Sequence, residues 1–319
     1  MRRALLLAAG AFFALAALRS FADYPDKPLR LVTPFPAGGV GDAVARLVAE
    51  PLSRALGQTI FIDSRPGADG QIAGMEARRA APDGYTLLIA EATTMSMVPA
   101  VRREPPYNPL TDFTPIGHIS SIAFFLAIHP GVPAQTLGQF VAHARANPDA
   151  LAFASPAAPS LLNMLHLMRH ARIQLLKVYY RGEPPAMPDL LAGRVQAMIA
   201  SPFLIAQPAR EGKLRVLAAM LPERSQPFPD VPTLRELGYP APPQVSWAGL
   251  FGPAKLPGQI TARLSAELKT ALAQPALREE LEKRGAVPRS SSPEELREIV
   301  RTQGEVWRTA VREGWIERE

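Results

Sequence analysis

The chain has 319 residues, no cysteine, 34 prolines and a formal net charge of +6. That length accommodates two α/β domains with substantial cores, and the missing thiols exclude disulfides, a lipid anchor on cysteine and a cysteine nucleophile or metal ligand. Three of the positive charges are Arg2, Arg3 and Arg19, which leaves about +3 elsewhere, and no basic run interleaved with aromatics marks a nucleic-acid surface.

The start of the chain reads as an export signal. Met1-Arg-Arg3 is positive, the apolar run over 4–18 follows, and Ser20-Phe-Ala22 is a small-x-small cleavage site. The run of about 15 residues is short of the ~20 that a spanning helix needs, and no other segment is long and apolar enough to span. Cleavage after Ala22 leaves 297 residues, 319 less 22.

Residues 29–33 are apolar and β-favouring, and Pro34-Phe35-Pro36-Ala37-Gly38-Gly39 is a tight loop. Asp42 is a natural N-cap for a helix whose apolar residues repeat at helical spacing over 43–56. A strand, tight loop and helix in this order expose backbone N–H groups beside a helix N-terminus, where an anion is favoured. There is no phosphate-loop motif. The dinucleotide pattern fails because Val44 stands at its third glycine position. Asp42 would repel a phosphate, so a carboxylate or a neutral polar ligand suits the loop better. An ordinary βα turn accounts for the same residues.

The pattern continues with a strand over 58–63, a helix over 70–80 and a buried strand over 85–90, which makes a β-α-β-α-β unit and a mostly parallel sheet. Residues 99–115 read as a connecting loop, 122–128 as a strand and 137–145 as a helix ended by Asn147-Pro148. A strand over 151–155 and a helix over 160–170 follow. Strands are expected over 175–180, 195–200 and 214–219, with a short helix at 188–193. The proline-dense 227–243 breaks regular structure, and 244–251 returns as a strand. The last third is helical. Pro257 is expected at the first position of one helix. Ser292-Pro-Glu-Glu295 resembles a capping box, with Pro293 at the first position of a helix running to about Arg312 and packing through Val300, Trp307 and Val311.

Catalytic chemistry is sparse. Of five histidines, only His166 and His170 sit four apart on a helix, and Leu167 stands where a zinc protease carries Glu. No Gly-x-Ser-x-Gly is present, so no metal, cofactor or catalytic residue is expected. The polar stretches 64–70, Glu91-Ala-Thr-Thr94 and Ser155-Pro-Ala-Ala-Pro-Ser160 fall where strands should end. Ligands of open α/β sheets bind outside the carboxyl ends of strands, so these are candidates for one crevice, although each alone is also a plain turn.

Several motifs in order resemble the extracytoplasmic solute receptors of tripartite tricarboxylate transporters, the Bug or TctC family. They are Tyr24-Pro-Asp-Lys-Pro28, Val32-Thr-Pro-Phe-Pro-Ala-Gly-Gly39 with Asp42 and Ala45-Arg46, Arg65-Pro-Gly67, and Pro82-Asp-Gly-Tyr-Thr-Leu-Leu88. Pro106-Tyr107 with Asp112-Phe113, Asp189-Leu-Leu191 with Gly193, and Gly212-Lys-Leu-Arg215 continue the series, and Pro229-Asp-Val-Pro-Thr233 and Ser246-Trp247 with Gly249-Leu-Phe251 complete it.

The resemblance implies a two-lobed periplasmic binding protein fold, type II-like, with each lobe a mostly parallel sheet flanked by helices and a ligand cleft between them. Residues 1–22 would be the signal, 23–123 with 247–319 the first domain and 124–246 the second. It implies a monomeric periplasmic receptor that captures a small organic or aromatic carboxylate for membrane permease subunits, without cofactor or catalysis. A sensor feeding a signalling partner uses the same cleft, and a secreted α/β enzyme is the alternative of another class.

The implied ligand-binding residues are Phe35, Pro36, Ala37, Gly38, Gly39, Asp42, Thr93, Thr94, Ser155, Ser160, Ser201 and Trp247. In the family the Pro-Phe-Pro-Ala-Gly-Gly loop and a facing loop of the second domain hold one ligand carboxylate, partly through water. That facing loop is usually glycine-rich and ends near a histidine. Here it carries two prolines, with Asn163 at the histidine position, so Ser155 and Ser160 are expected to supply side-chain donors in place of lost amides. Glu91 replaces a small hydroxyl residue and Asp69-Gly70 a Gly-Gly. Ala200 replaces an aspartate that would pair with an ammonium, which argues against an amino-acid ligand.

Overall fold

Two mixed α/β layers arise from one alternating chain. The computed structural model describes residues 24–38, 40–156, 158–180, 182–241 and 246–318; the expected signal at 1–22 and Gly39 lie outside them. Strand β1 (Leu29–Thr33) turns Leu29 and Leu31 to one core and Val32 to another, which is why it is apolar throughout. Helix α1 (Val40–Leu56) lays Val44, Ala45, Val48, Ala49, Leu52 and Leu56 on the first of these cores at helical spacing.

With β2 (Ile60–Ser64), β3 (Thr86–Glu91), β4 (Phe113–Ile122), β10 (Ser246–Pro253) and β11 (Ala286–Pro288), the first sheet has the order β11-β4-β10-β3-β1-β2. Strands β1 to β4 run one way, while β10 and β11 run against them. Helices α8 (Gly258–Ala273) and α9 (Pro275–Lys283) share the α1 face. Helices α2 (Gln71–Arg78), α3 (Val98–Val101) and α10 (Pro293–Arg312) cover the other face.

The second sheet, in the order β7-β6-β8-β5-β9, comprises β5 (Phe125–Ile128), β6 (Ala152–Ser155), β7 (Leu176–Tyr179), β8 (Ala197–Ala200) and β9 (Arg215–Ala219). Only β5 opposes the other four strands. Helices α4 (Leu137–Ala146) and α5 (Ala158–Ala171) pack on one face; α6 (Glu183–Leu191) and α7 (Pro202–Arg210) pack on the other. The carboxyl ends of β1 to β4 and of β6 to β9 therefore both point at the seam between the sheets, which the chain crosses between β4 and β5 and again between β9 and β10.

Several expectations are corrected. The stretch 99–115 is not all loop: α3 occupies its start, and β4 begins at Phe113 and contains Pro115. Pro115 is tolerated because β11 pairs only with Ser120–Ile122, and the β10 side has a register irregularity between Leu250 and Phe251. The apolar run 122–128 is not one strand. It ends β4, crosses at Ala123-Phe124 and begins β5 in the other sheet. The short helix expected at 188–193 starts earlier, at Glu183. Helix α7 and strand β11 were not expected, and α9, within the stretch expected to be helical, was not singled out. Pro257 is the N-cap of α8 rather than its first residue, with ψ 137°. The capping box of α10 is formed as expected: Glu295 N donates to Ser292 Oγ at 3.1 Å and Ser292 N to Glu295 Oε2 at 2.7 Å.

Candidate functional site

The turn from β1 into α1 is locked by its own aspartate. Asp42 is not the N-cap; it sits in the first turn of α1 and is 3% exposed. Its Oδ2 accepts from Gly38 N at 3.0 Å and from Arg46 Nε at 2.9 Å. The Arg46 bond, against the opposing effect of burial and with help from the Gly38 N–H, holds its carboxyl below the usual range. Gly38 has φ +80°, a backbone state that favours glycine. The close approach falls at Gly41, where an added Cβ would lie 2.4 Å from the Phe35 ring. Phe35 thus folds back over the start of α1. The Gly38 amide, expected to face a ligand, is engaged with Asp42.

The second wall segment is the turn between β2 and α2. Gly70, at φ +86°, leaves no room for a Cβ, which would stand 2.1 Å from Thr94 Oγ1. Asp69 adopts φ 57° and pairs with Arg102 at 2.9 Å. A π-turn at Thr93–Met97 follows β3 directly. Thr94 is fully buried there, its carbonyl accepting from Tyr107 Oη at 2.8 Å. Thr93 stays partly exposed. Glu91 ends β3 half-buried, on the Leu87 and Ile89 side by strand alternation. Burial first, and then the nearby Asp69 carboxylate, push it up to about 7.

Facing these, the second lobe offers the turns after β6, β7 and β8. Ser155 is buried, and its carbonyl accepts from Tyr180 N at 3.2 Å. Ser160 is also buried, and its hydroxyl donates to Ile199 O. Its donor is therefore used internally, which corrects the expectation that Ser160 offers one to a ligand. Ser201 is satisfied by Glu183, whose carboxylate accepts from Ser201 N at 3.1 Å and Ser201 Oγ at 2.6 Å. Burial raises Glu183 against those two bonds. Tyr180 donates to Asp189 at 2.6 Å, and burial and that carboxylate push its hydroxyl up to about 12.

The lobes touch across the seam. Leu162 of α5 joins the core that holds Ala92 and Met95 of the first lobe. Farther along α5, Arg169 pairs with Glu313 at 2.9 Å and lies 4.8 Å over the Trp315 ring. The turn at 35–38, Asp42 and Thr93 thus lie at the carboxyl ends of first-sheet strands, and Ser155, Ser160 and Ser201 at those of the second sheet. Thr94 is buried beneath the first group. Trp247, 2% exposed, packs into the core 6.2 Å from the Phe251 ring rather than standing at the turn. The His166 and His170 rings lie 4.4 Å apart, tilted by 58°, and His166 Nε2 lies 3.3 Å from Pro240 O, which is packing geometry.

Sequence reading missed Glu183, whose partner is 18 positions away, and the role of Asp42 as an internal acceptor. The four-residue spacing from Gly38 to Asp42 and from Asp42 to Arg46 was the available signal for the latter.

Comparison with known proteins agrees with this fold. The family described as "Tripartite tricarboxylate transporter family receptor" matches residues 44–314. Protein BugT of Bordetella pertussis is 32% identical over 97% of both chains. The solved periplasmic binding protein BugD is 30% identical, covers 93% of this chain and 100% of its own, and superposes with a TM-score of 0.76. MatC of Rhodopseudomonas palustris, solved with bound malate, is 31% identical over 90% of this chain and all of its own, with a TM-score of 0.75. These are binding proteins, not enzymes.

Proposed function

The chain belongs to the tripartite tricarboxylate transporter receptor family, and on that footing we propose that it captures a small carboxylate between its lobes and delivers it to a membrane permease. Export with cleavage after Ala22, and residence in the periplasm as for BugD, are part of the proposal. So are lobes made of 23–123 with 247–319 and of 124–246.

The observation that carries the reading is the convergence at the seam. The β1–α1 turn with the N-terminus of α1 and the β6–α5 turn both follow strands whose carboxyl ends point at the seam, which supports a ligand held between them. The first amides of α1 have no partner within the helix and favour an anion. Gly38, Ser160 and Ser201 already spend their donors on Asp42, Ile199 and Glu183. The remaining groups for a ligand carboxylate are the first-turn amides of α1 with the Ser155 and Thr93 hydroxyls. MatC, with malate, supports the ligand class.

The test is calorimetric titration of the mature protein with mono-, di- and tricarboxylates and aromatic acids. At about 100 times Kd a ligand should add ~2.7 kcal/mol of stability, visible as a thermal shift. No binding by any carboxylate up to millimolar concentration would refute the proposal.

A further inference from the structure

A groove of about 840 Å³ lies on the other flank of the crossing strands from the turns just described. Its walls come from both lobes. Phe203 and Arg210 of α7 and Leu221 stand on one side; Val287 of β11, Arg289 and Trp247 of β10 stand on the other. Size, an apolar lining and a place between lobes are the usual marks of a small-molecule site.

Three features point to an occupant. Phe203 is 56% exposed, a large apolar ring left to solvent at the mouth. Trp247 Nε1 is buried with no hydrogen-bond partner among the described residues, a desolvated donor. The guanidiniums of Arg210 and Arg289 make no hydrogen bond or ion pair among the described residues. The other charges of the lining are answered: Arg224 by Glu236 at 2.9 Å, Lys283 by Glu279 at 2.9 Å, and Glu282 by Arg278 at 3.8 Å. That leaves Glu223 alone against two arginines.

We propose that this groove is a second binding site, for an amphipathic organic acid. The anionic group meets Arg210 and Arg289 across the two lobes, in charge-assisted hydrogen bonds. The aromatic or aliphatic body lies against Phe203, Leu221 and Val287. The assignment is independent of the carboxylate reading of the opposite crevice.

The test is fluorescence titration of the mature protein with 8-anilinonaphthalene-1-sulfonate, an aromatic sulfonate, with benzoate as competitor. A saturable site in the groove is expected, displaced by benzoate in Ser155→Ala as in the parent. The double change Arg210→Ala with Arg289→Ala, and separately Phe203→Asp, should each weaken the probe by about tenfold or more, roughly 1.4 kcal/mol. All three positions are exposed, and circular dichroism checks each fold. If the double variant fails to fold, Arg210→Ala alone makes the comparison. Ser155→Ala, on the crevice side, should leave probe affinity unchanged. Undiminished affinity in the groove variants, non-saturable binding, or loss of binding in Ser155→Ala would each overturn the assignment.

Discussion

Glu91→Gln should flatten part of the pH dependence of stability. In the folded protein burial and Asp69 raise Glu91 from an ordinary 4.5 to about 7. A raised carboxyl contributes stability that is complete below the unfolded value, near 4.5, and is lost as pH rises through about 7. That difference corresponds to a ceiling of ~3.4 kcal/mol. Glu91 keeps some contact with solvent, so about half of it, ~1.5 kcal/mol, is the working expectation.

Other groups titrate in the same window. His118 and His166 are lowered by burial, so they act oppositely and lose stability as pH falls through about 6.5. Glu183 acts in the same sense as Glu91. The raw profile of the protein therefore mixes signs, and the difference between it and Glu91→Gln isolates the one group. Thermal melts at constant ionic strength should show the variant gaining on the parent by roughly 3–5 °C between pH 5 and pH 8, at ~2–4 °C per kcal/mol for a large domain. A constant gap between the two curves across that range would refute the burial argument.

Three further outcomes follow from the same geometry. Gly70→Ala forces a Cβ to 2.1 Å from Thr94 Oγ1 at φ +86° and should cost about 2–4 kcal/mol in urea unfolding; a loss under 0.5 would contradict the packing. Gly41→Ala collides with the Phe35 ring at 2.4 Å. It should therefore be substantially rescued by adding Phe35→Ala, with a coupling of about 1 kcal/mol or more in a double-mutant cycle, and strict additivity would remove Phe35 from that position. Glu183→Ala strands the half-buried Ser201 N–H and hydroxyl, whereas Ser201→Ala still leaves Glu183 the backbone N–H, so chemical denaturation should rank the first as worse, at about 1–2 against ~0.5–1 kcal/mol.

How far the sequence speaks depends on the range of the interactions that fix each element. The β1–α1 unit, the helix of α4 and the capping box of α10 rest on neighbours within four residues, and periodicity found them. The run 122–128 looked like one strand because apolar residues are demanded equally by the end of β4 and the whole of β5; only pairing with Ser246 at one end and with Ala200 and Ala219 at the other reveals the crossing. Helix α7 hid behind Pro202 and Pro208, and β11 is three residues whose partner lies in β4. Within the site, the glycine signal was right in kind and shifted in place. Gly38 and Gly39 drew attention as points of close approach, but a Cβ at Gly38 meets nothing within 4 Å, while Gly41 is pressed against Phe35. Ser160 was matched by motif, yet its hydroxyl belongs to Ile199, 39 positions on.

A pattern joins the two walls. Each has a backbone amide at the mouth of a βα turn, and each amide is answered by a carboxylate of the protein itself: Gly38 by Asp42 and Ser201 by Glu183. Buried or half-buried N–H groups are costly when unpaired, so a crevice built from such turns needs an acceptor whether or not a ligand is present. Asp42 and Glu183 are tethered nearby, four positions from Gly38 and at the start of the facing α6 respectively. On the proposed reading an incoming carboxylate either takes the α1 amides that remain or exchanges with an internal carboxylate of equal charge. The exchange conserves hydrogen bonds of the same kind and contributes little net free energy. Discrimination among acids would then fall to the body of the ligand, to the half-buried Glu91 and to the stiff Ser155-Pro156 segment.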